Sequence, residues 1–266
     1  MTLNRDRLRS MLDTFGEFPA KYRVLVWDFL LELPHNSRAY TQLATRGLHP
    51  SFRDLPDKTP GLPRQLSLRL ATTLSALAYW CPLFAEVRFL PDLVFPFVKV
   101  GVAAGIPQGN ETLFELIATI LSNWTSGWFQ TFPHPPLKLL SRVENLIEFH
   151  DPGITKHVNN TFRGGMVGFA WQHLSSLLTG VLQRPEWLRL WDHALIAGPE
   201  FLYHFFAAWV IHHKRDLIRI SSDAKLADWL SLCPPIDLTR VLKEAYDLGL
   251  KTPAVYRVSD QGGGEE

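Results

Sequence analysis

Chemistry in a protein is usually carried by a small set of side chains at short, recurring spacings. This chain of 266 residues holds ten histidines and two cysteines. The histidines show no metal-ligand spacing. No His-Glu-x-x-His occurs, and the adjacent His212 and His213 would point about 100° apart on a helix, too far to share an ion easily. Cys81 and Cys233 cannot build a disulfide framework or a four-ligand zinc site, so a reduced, cytoplasmic compartment and no metal or cofactor are expected. A nucleophile elbow (G-x-S-x-G), a phosphate loop (G-x-x-x-x-G-K-S/T) and a dinucleotide fingerprint (G-x-G-x-x-G) are all absent. The Gly-rich segment Gly101–Gly109 lacks the lysine of a phosphate loop and is expected to join two helices. Arg23 and Trp27, four residues apart, would share one helix face, where a guanidinium can stack on an indole.

Charge narrows the partners. Lys and Arg number 27 against 26 Asp and Glu, and the longest basic cluster is His212-His213-Lys214-Arg215, so no footprint for nucleic acid is expected. The long uncharged stretches Leu116–Leu137 and Gly164–Gln183 contain prolines, histidines or amides, which suits buried helices and not membrane insertion. Residues 1–15 alternate charged and apolar groups and have no secretory apolar core. The triplets Asn110-Glu111-Thr112, Asn123-Trp124-Thr125 and Asn159-Asn160-Thr161 therefore read as chance glycosylation matches.

The elements that must position any site read at helical period almost throughout. Tyr22, Val26, Phe29, Leu30 and Leu33 form one stripe; Leu66, Leu70, Leu74 and Leu77 another; Leu113, Ile117, Leu121, Trp124 and Trp128 a third. Trp187, Leu190, Trp191, Ala194 and Leu195 complete a full helical set, with Pro185 suited to the first turn and Gly198 to the C-terminal cap. Residues 200–216 are apolar on nearly every side and predict a central helix, its end favoured by Lys214 and Arg215 at the negative pole of the dipole. His49–Pro63, rich in proline and charge, reads as a loop. The fold class is all-α, with roughly a dozen or more helices: an N-terminal helix or extension over 1–17, one domain over 18–250, and a flexible tail over 251–266.

Two motifs carry a family resemblance. Arg189-Leu190-Trp191-Asp192-His193-Ala194-Leu195-Ile196-Ala197-Gly198-Pro199-Glu200-Phe201-Leu202, preceded by Phe169-Ala170-Trp171, resembles the R-x-W-D-x-x-L-x-x-G-x-x-F-L signature of TBC domains. Those domains are the all-helical fold of Rab GTPase-activating proteins. Arg23 and Trp27 resemble the opening R-x-x-x-W helix of the same family, and the likeness runs from about Phe18 to Leu250. The signature residues Arg23, Trp27, Trp171, Arg189, Trp191, Asp192, Gly198 and Phe201 are expected to hold the fold together. Thr73–Trp80, Phe95–Lys99 and Glu144–Asp151 are further similar to a WD-repeat-containing branch of the family found at centrosomes and centriolar satellites. That branch implies scaffold partners of the centrosome or cilium.

The resemblance also implies where catalysis should lie. Active members insert an Arg from I-x-x-D-x-x-R and a Gln from Y-x-Q into the GTPase site, to neutralise phosphate charge and hold the attacking water. Here the first position falls on Asp57, within Arg53-Asp54-Leu55-Pro56-Asp57-Lys58, and the second on Arg88, within Glu86-Val87-Arg88. A finger Arg contributes about 10³–10⁵ in rate, roughly 4–7 kcal/mol. An Asp near 4 Å from a phosphate charge would instead repel it by about 4 kcal/mol at an effective dielectric near 20. The resemblance so read implies a silent domain that binds proteins, with a Rab-type small GTPase as candidate partner. A weak activator using Arg88 or Arg53, with Lys58 as a lesser candidate, is the alternative, and a domain that binds only scaffold proteins is a third.

Overall fold

The computed structural model describes residues 3–103 and 109–258. Among them are fifteen α-helices, four short 3-10 turns and no strand. The chain divides into two compact units, Met1–Leu8 with Phe18–Ser122, and Arg9–Glu17 with Asn123–Glu266. Helix α1 (Arg5–Phe15) gives its first turn to the first unit and the remainder to the second.

The first unit continues with α2 (Arg23–Leu31), α3 (Ser37–Ala44), α4 (Leu55–Lys58), α5 (Arg64–Trp80), α6 (Leu90–Ala103) and α7 (Gly109–Asn123). Helix α5 is its spine, burying Leu70, Leu74 and Leu77 at helical spacing. Its buried hydroxyls stay satisfied inside the helix: Thr73 donates to the Arg69 carbonyl at 2.9 Å and Ser75 to the Ala71 carbonyl at 2.7 Å. On α2 the buried face is Arg23, Val26, Trp27, Leu30 and Leu31, while Tyr22 and Phe29 are exposed. The expected stripe therefore holds only at Val26, Leu30 and Leu33, because burying Arg23 and Trp27 turns Tyr22 and Phe29 outward. Glu115 of α7 is buried and accepts from the backbone N–H groups of His35 and Asn36 at 2.9 and 2.6 Å, fixing the turn between α2 and α3.

The second unit contains α8 (Leu137–His150), α9 (Pro152–Thr161), α10 (Gly165–Leu174), α11 (Arg184–Ala197), α12 (Phe201–His212), α13 (Lys214–Leu217), α14 (Asp223–Ser231) and α15 (Leu238–Lys251). Residues 201–210 of α12 are all buried, as a helix apolar on every side requires. Helix α15 packs along it through Val241, Leu242, Ala245 and Leu248. The central helix is shorter than expected. His213 interrupts it, and Lys214 begins α13 and pairs with Asp151 at 2.6 Å instead of serving the α12 terminus. Of the residues assigned to the tail, Thr252 and Val258 are buried and Tyr256 stacks on Phe149 with centroids 4.7 Å apart, while 253–257 are exposed. Residues 259–266, and 104–108 of the Gly-rich segment, lie outside the described residues.

Two stability predictions follow from buried polar groups. Glu115→Ala leaves two part-buried backbone donors without their charged acceptor and should cost about 1–3 kcal/mol, read as a lower denaturation midpoint at unchanged m-value. Burial pushes His173, His204 and His213 down to about 4 from the usual 6.5. As pH falls below 6.5 the unfolded chain takes up protons that the folded chain refuses, so stability declines until about pH 4, by about 3 kcal/mol per histidine at full extent. The melting temperature should accordingly be lower at pH 5 than at pH 7.5, and His173→Leu should shrink that gap. Equal gaps in both proteins would contradict the assignment.

Candidate functional site

The segment expected to carry a catalytic cation is moored along α5. At its start the His49 N–H donates to the Ser75 hydroxyl at 2.9 Å, and the His49 ring packs edge-on to Tyr79 at 5.0 Å. The Arg46 guanidinium lies 4.7 Å from the centre of the same Tyr79 ring. Phe52 is buried. At the far end the Thr59 hydroxyl donates to the Leu55 carbonyl and lies 3.0 Å from the Ser67 hydroxyl. The expected loop is thus partly helical, with a 3-10 turn at Pro50–Phe52 followed by α4. Apolar and hydroxyl groups face α5, so the charged ones face outward.

Arg53, Asp54, Asp57 and Lys58 are all exposed. Lys58 lies 3.9 Å from Asp54, one turn earlier. Two cations against two carboxylates leave this stretch without net charge. The second segment follows the end of α5 as a 3-10 turn, Pro82–Ala85, anchored by buried Phe84. After it Val87 is buried while Glu86 and Arg88 are exposed on either side. Both segments therefore rest on α5, and no ion pair joins Asp57 to Arg88 among the described residues. Arg53 and Arg88 have no ion-pair partner among the described residues either.

The signature residues are placed differently. In the first unit Arg23 is buried and donates to the Phe18 carbonyl at 2.9 Å, and Trp27, fully buried, meets Phe97 edge-on at 6.3 Å. In the second unit Arg189 donates to the Gly16 carbonyl at 3.3 Å and to the Thr239 hydroxyl at 3.2 Å. Trp191 and Asp192 are fully buried, and Trp171 meets Trp128 edge-on at 5.6 Å. Gly198 caps α11 with a φ of 101°, which an L side chain rarely adopts. Phe201 packs on Tyr246 with centroids 4.6 Å apart. His193, two residues after Trp191, is a polar hub that spacing alone does not reveal: its Nε2 lies 3.1 Å from the Gly16 carbonyl and its Nδ1 3.0 Å from the Tyr246 hydroxyl. Burial, ahead of the opposing bond to Gly16, lowers its pKa. Glu115 was equally hidden, although an acid inside the apolar run Leu113–Ile117 is a visible anomaly.

Among the described residues no group of three His, Cys, Asp or Glu side chains could hold a metal, and no helix is long and apolar enough to cross a membrane. Residues 56–218 match the family model of the Rab-GTPase-TBC domain. This chain belongs to the TBC domain family. TBC1 domain family member 31 of Oryzias latipes is 40% identical over 253 residues, and that of Homo sapiens 36%. These alignments cover 95% and 94% of this chain but 23% of either relative, so the TBC domain described here spans about a quarter of their length. The crystal structure of the Ypt/Rab-GAP domain of Gyp1p superposes with a TM-score of 0.71 at 20% identity, covering 93% of this chain and 92% of that one. The Chlamydomonas flagellar RabGAP TBC domain gives 0.69 at 16% identity, covering 93% and 86%. Both share the fold of this TBC domain.

Gly16 offers a direct test of the Arg189 and His193 junction. Its φ is 74°, and a Cβ there would lie 2.9 Å from Arg189 Nη2. Gly16→Ala should therefore destabilise the domain by about 1–3 kcal/mol, measured by urea unfolding. Restoration of stability by a second change, Arg189→Ala, would locate the clash, and a neutral Gly16→Ala would refute it.

Proposed function

We propose that this TBC domain is catalytically silent and works as a protein-interaction module that seats a Rab-type GTPase without speeding its hydrolysis. The observation that supports this is the exposure of Asp57 on the moored segment, at the position to which the family resemblance assigns the Arg of an active member. A carboxylate there has no donor to offer a phosphate and repels its charge. Arg88 at the second position can donate hydrogen bonds but cannot accept one from the attacking water as a Gln carbonyl does. The compartment we propose is the cytoplasm, at the centrosome, centriolar satellites or cilium base, with scaffold proteins there as further partners. This follows from the similarity to the WD-repeat-containing branch.

A second reading, a weak activator with a displaced finger, is favoured by the exposed Arg53 and Arg88, neither of which is held by an ion pair among the described residues. Single-turnover hydrolysis across a panel of GTP-loaded Rab proteins separates the two. The silent domain should change the rate by less than about twofold, whereas a finger Arg gives about 10³–10⁵. Large acceleration abolished by Arg88→Ala or Arg53→Ala would overturn the proposal in favour of the displaced finger. Capture of a GTP-loaded Rab by the inactive chain supports the seating role, and no capture by any Rab would refute that part and leave scaffold binding alone.

A further inference from the structure

Within the second unit, α1, the start of α12 and the end of α15 line a groove of about 440 Å³ whose residues belong to neither finger segment. Its deepest polar group is His204. That residue is 6% exposed, and its buried Nε2 has no hydrogen-bond partner. Its Nδ1 likewise has no partner among the described residues, and it lies under Gly249. A Cβ built on Gly249 would come within 3.3 Å of Nδ1 and 3.4 Å of Cε1, so the missing side chain is what keeps this edge of the imidazole open to the groove. A helix interior normally disfavours glycine by about 1 kcal/mol relative to alanine, so the opening has a standing cost in α15.

The walls and rim add a second kind of information. The rings of Phe201 and Tyr246 pack with centroids 4.6 Å apart, and the Tyr246 hydroxyl is held 3.0 Å from His193 Nδ1, which fixes the ring. Asp13 and Glu200 stand at the rim and Arg9 is the one cation among the lining residues, so the lining carries one net negative charge, while Arg257 acts on His204 from beyond it. An anion would meet two carboxylates. A purely apolar group would leave His204 without a partner and desolvate the acids. What satisfies all of these at once is a flat cation with several N–H donors and an apolar stem.

We propose that this groove binds the guanidinium of an arginine presented by a partner polypeptide, with Asp13 and Glu200 as counter-charges, the exposed Tyr246 ring as stacking surface and His204 Nδ1 accepting an N–H across Gly249. Burial holds the His204 pKa at about 4, so near neutral pH the imidazole is uncharged and free to accept. Lysine fits less well, because a point ammonium neither stacks nor presents a planar fork of donors. This site stands independently of whether the finger segments catalyse.

The test uses the 266-residue chain with histidine side chains labelled by ¹⁵N, titrated with acetyl-Ala-Arg-Ala-amide and with the same peptide carrying neutral citrulline. The arginine peptide should shift the His204 ring resonances saturably, and the citrulline peptide should bind at least about tenfold more weakly. Gly249→Ala, which closes the opening, should weaken the arginine peptide by about tenfold, with a cooperative thermal transition showing that the fold is kept. Asp13→Asn, on the exposed face of α1, should weaken it about threefold without touching the core. Equal binding of arginine and citrulline peptides, no saturable His204 shift, or unchanged affinity in both variants would each overturn the proposal.

Discussion

A helix buried on all sides is the constraint that organises the second unit. Every residue of α12 from Phe201 to Val210 is buried, so each polar group on it needs an internal partner, must stay neutral, or must open onto something else. Tyr203 takes the first course, accepting from Trp128 Nε1 at 3.1 Å. His204 stays neutral and opens beneath Gly249. His213, just past the helix, stays neutral against Trp209 and Trp229, with ring centroids 4.9 and 5.3 Å away. The helix also dictates the pattern of its neighbour. Helix α15 turns Leu238, Val241, Leu242, Ala245 and Leu248 toward the core and leaves Thr239, Arg240 and Lys243 exposed. That is the amphipathic stripe expected of a helix covering an apolar one.

Much of this was legible in the sequence because helical periodicity is a local signal. The set from Trp187 to Leu195, the proline in the first turn of α11 and the cap at Gly198 all depend on residues within a turn or two of each other. The departures have non-local causes. Helical spacing alone puts Tyr22 and Phe29 on a buried stripe, yet α2 is rotated by the burial of Arg23, which donates to the Phe18 carbonyl. Residues 200–216 looked continuous because apolarity persists, and the break at His213 accompanies the pairing of Lys214 with Asp151, 63 positions away. Glu115 and His193 gain their meaning from backbone groups 80 and 177 positions distant, a relation that no local spacing encodes.

The candidate site was legible in another way. Family likeness locates the positions, but composition alone does not reveal which face they occupy. Phe52, His49 and Thr59 spend the contacts of their segment on α5, and this is what turns Arg53, Asp57 and Lys58 to solvent. A segment so moored presents whatever side chains occupy its outer face.

The residues that hold this fold together are separate from the exposed ones at the two proposed finger positions, so the fold by itself does not require a finger there. Exchanging an exposed side chain usually alters stability by less than about 0.5 kcal/mol, whereas removing a finger Arg forfeits roughly 4–7 kcal/mol of transition-state stabilisation. Asp57 and Arg88 lie on the exposed side of that division, so folding places no demand on their identity. Arg23, Trp27, Trp191 and Asp192 lie on the other, where loss of a buried partner or a packed ring carries the large penalties. A TBC signature therefore certifies the scaffold while saying nothing of the activity, and activity has to be read from the few outward-facing positions. The same logic separates the two units' surfaces: on α5 the outer charges cancel, while beside α12 a neutral imidazole and a net negative rim remain unsatisfied.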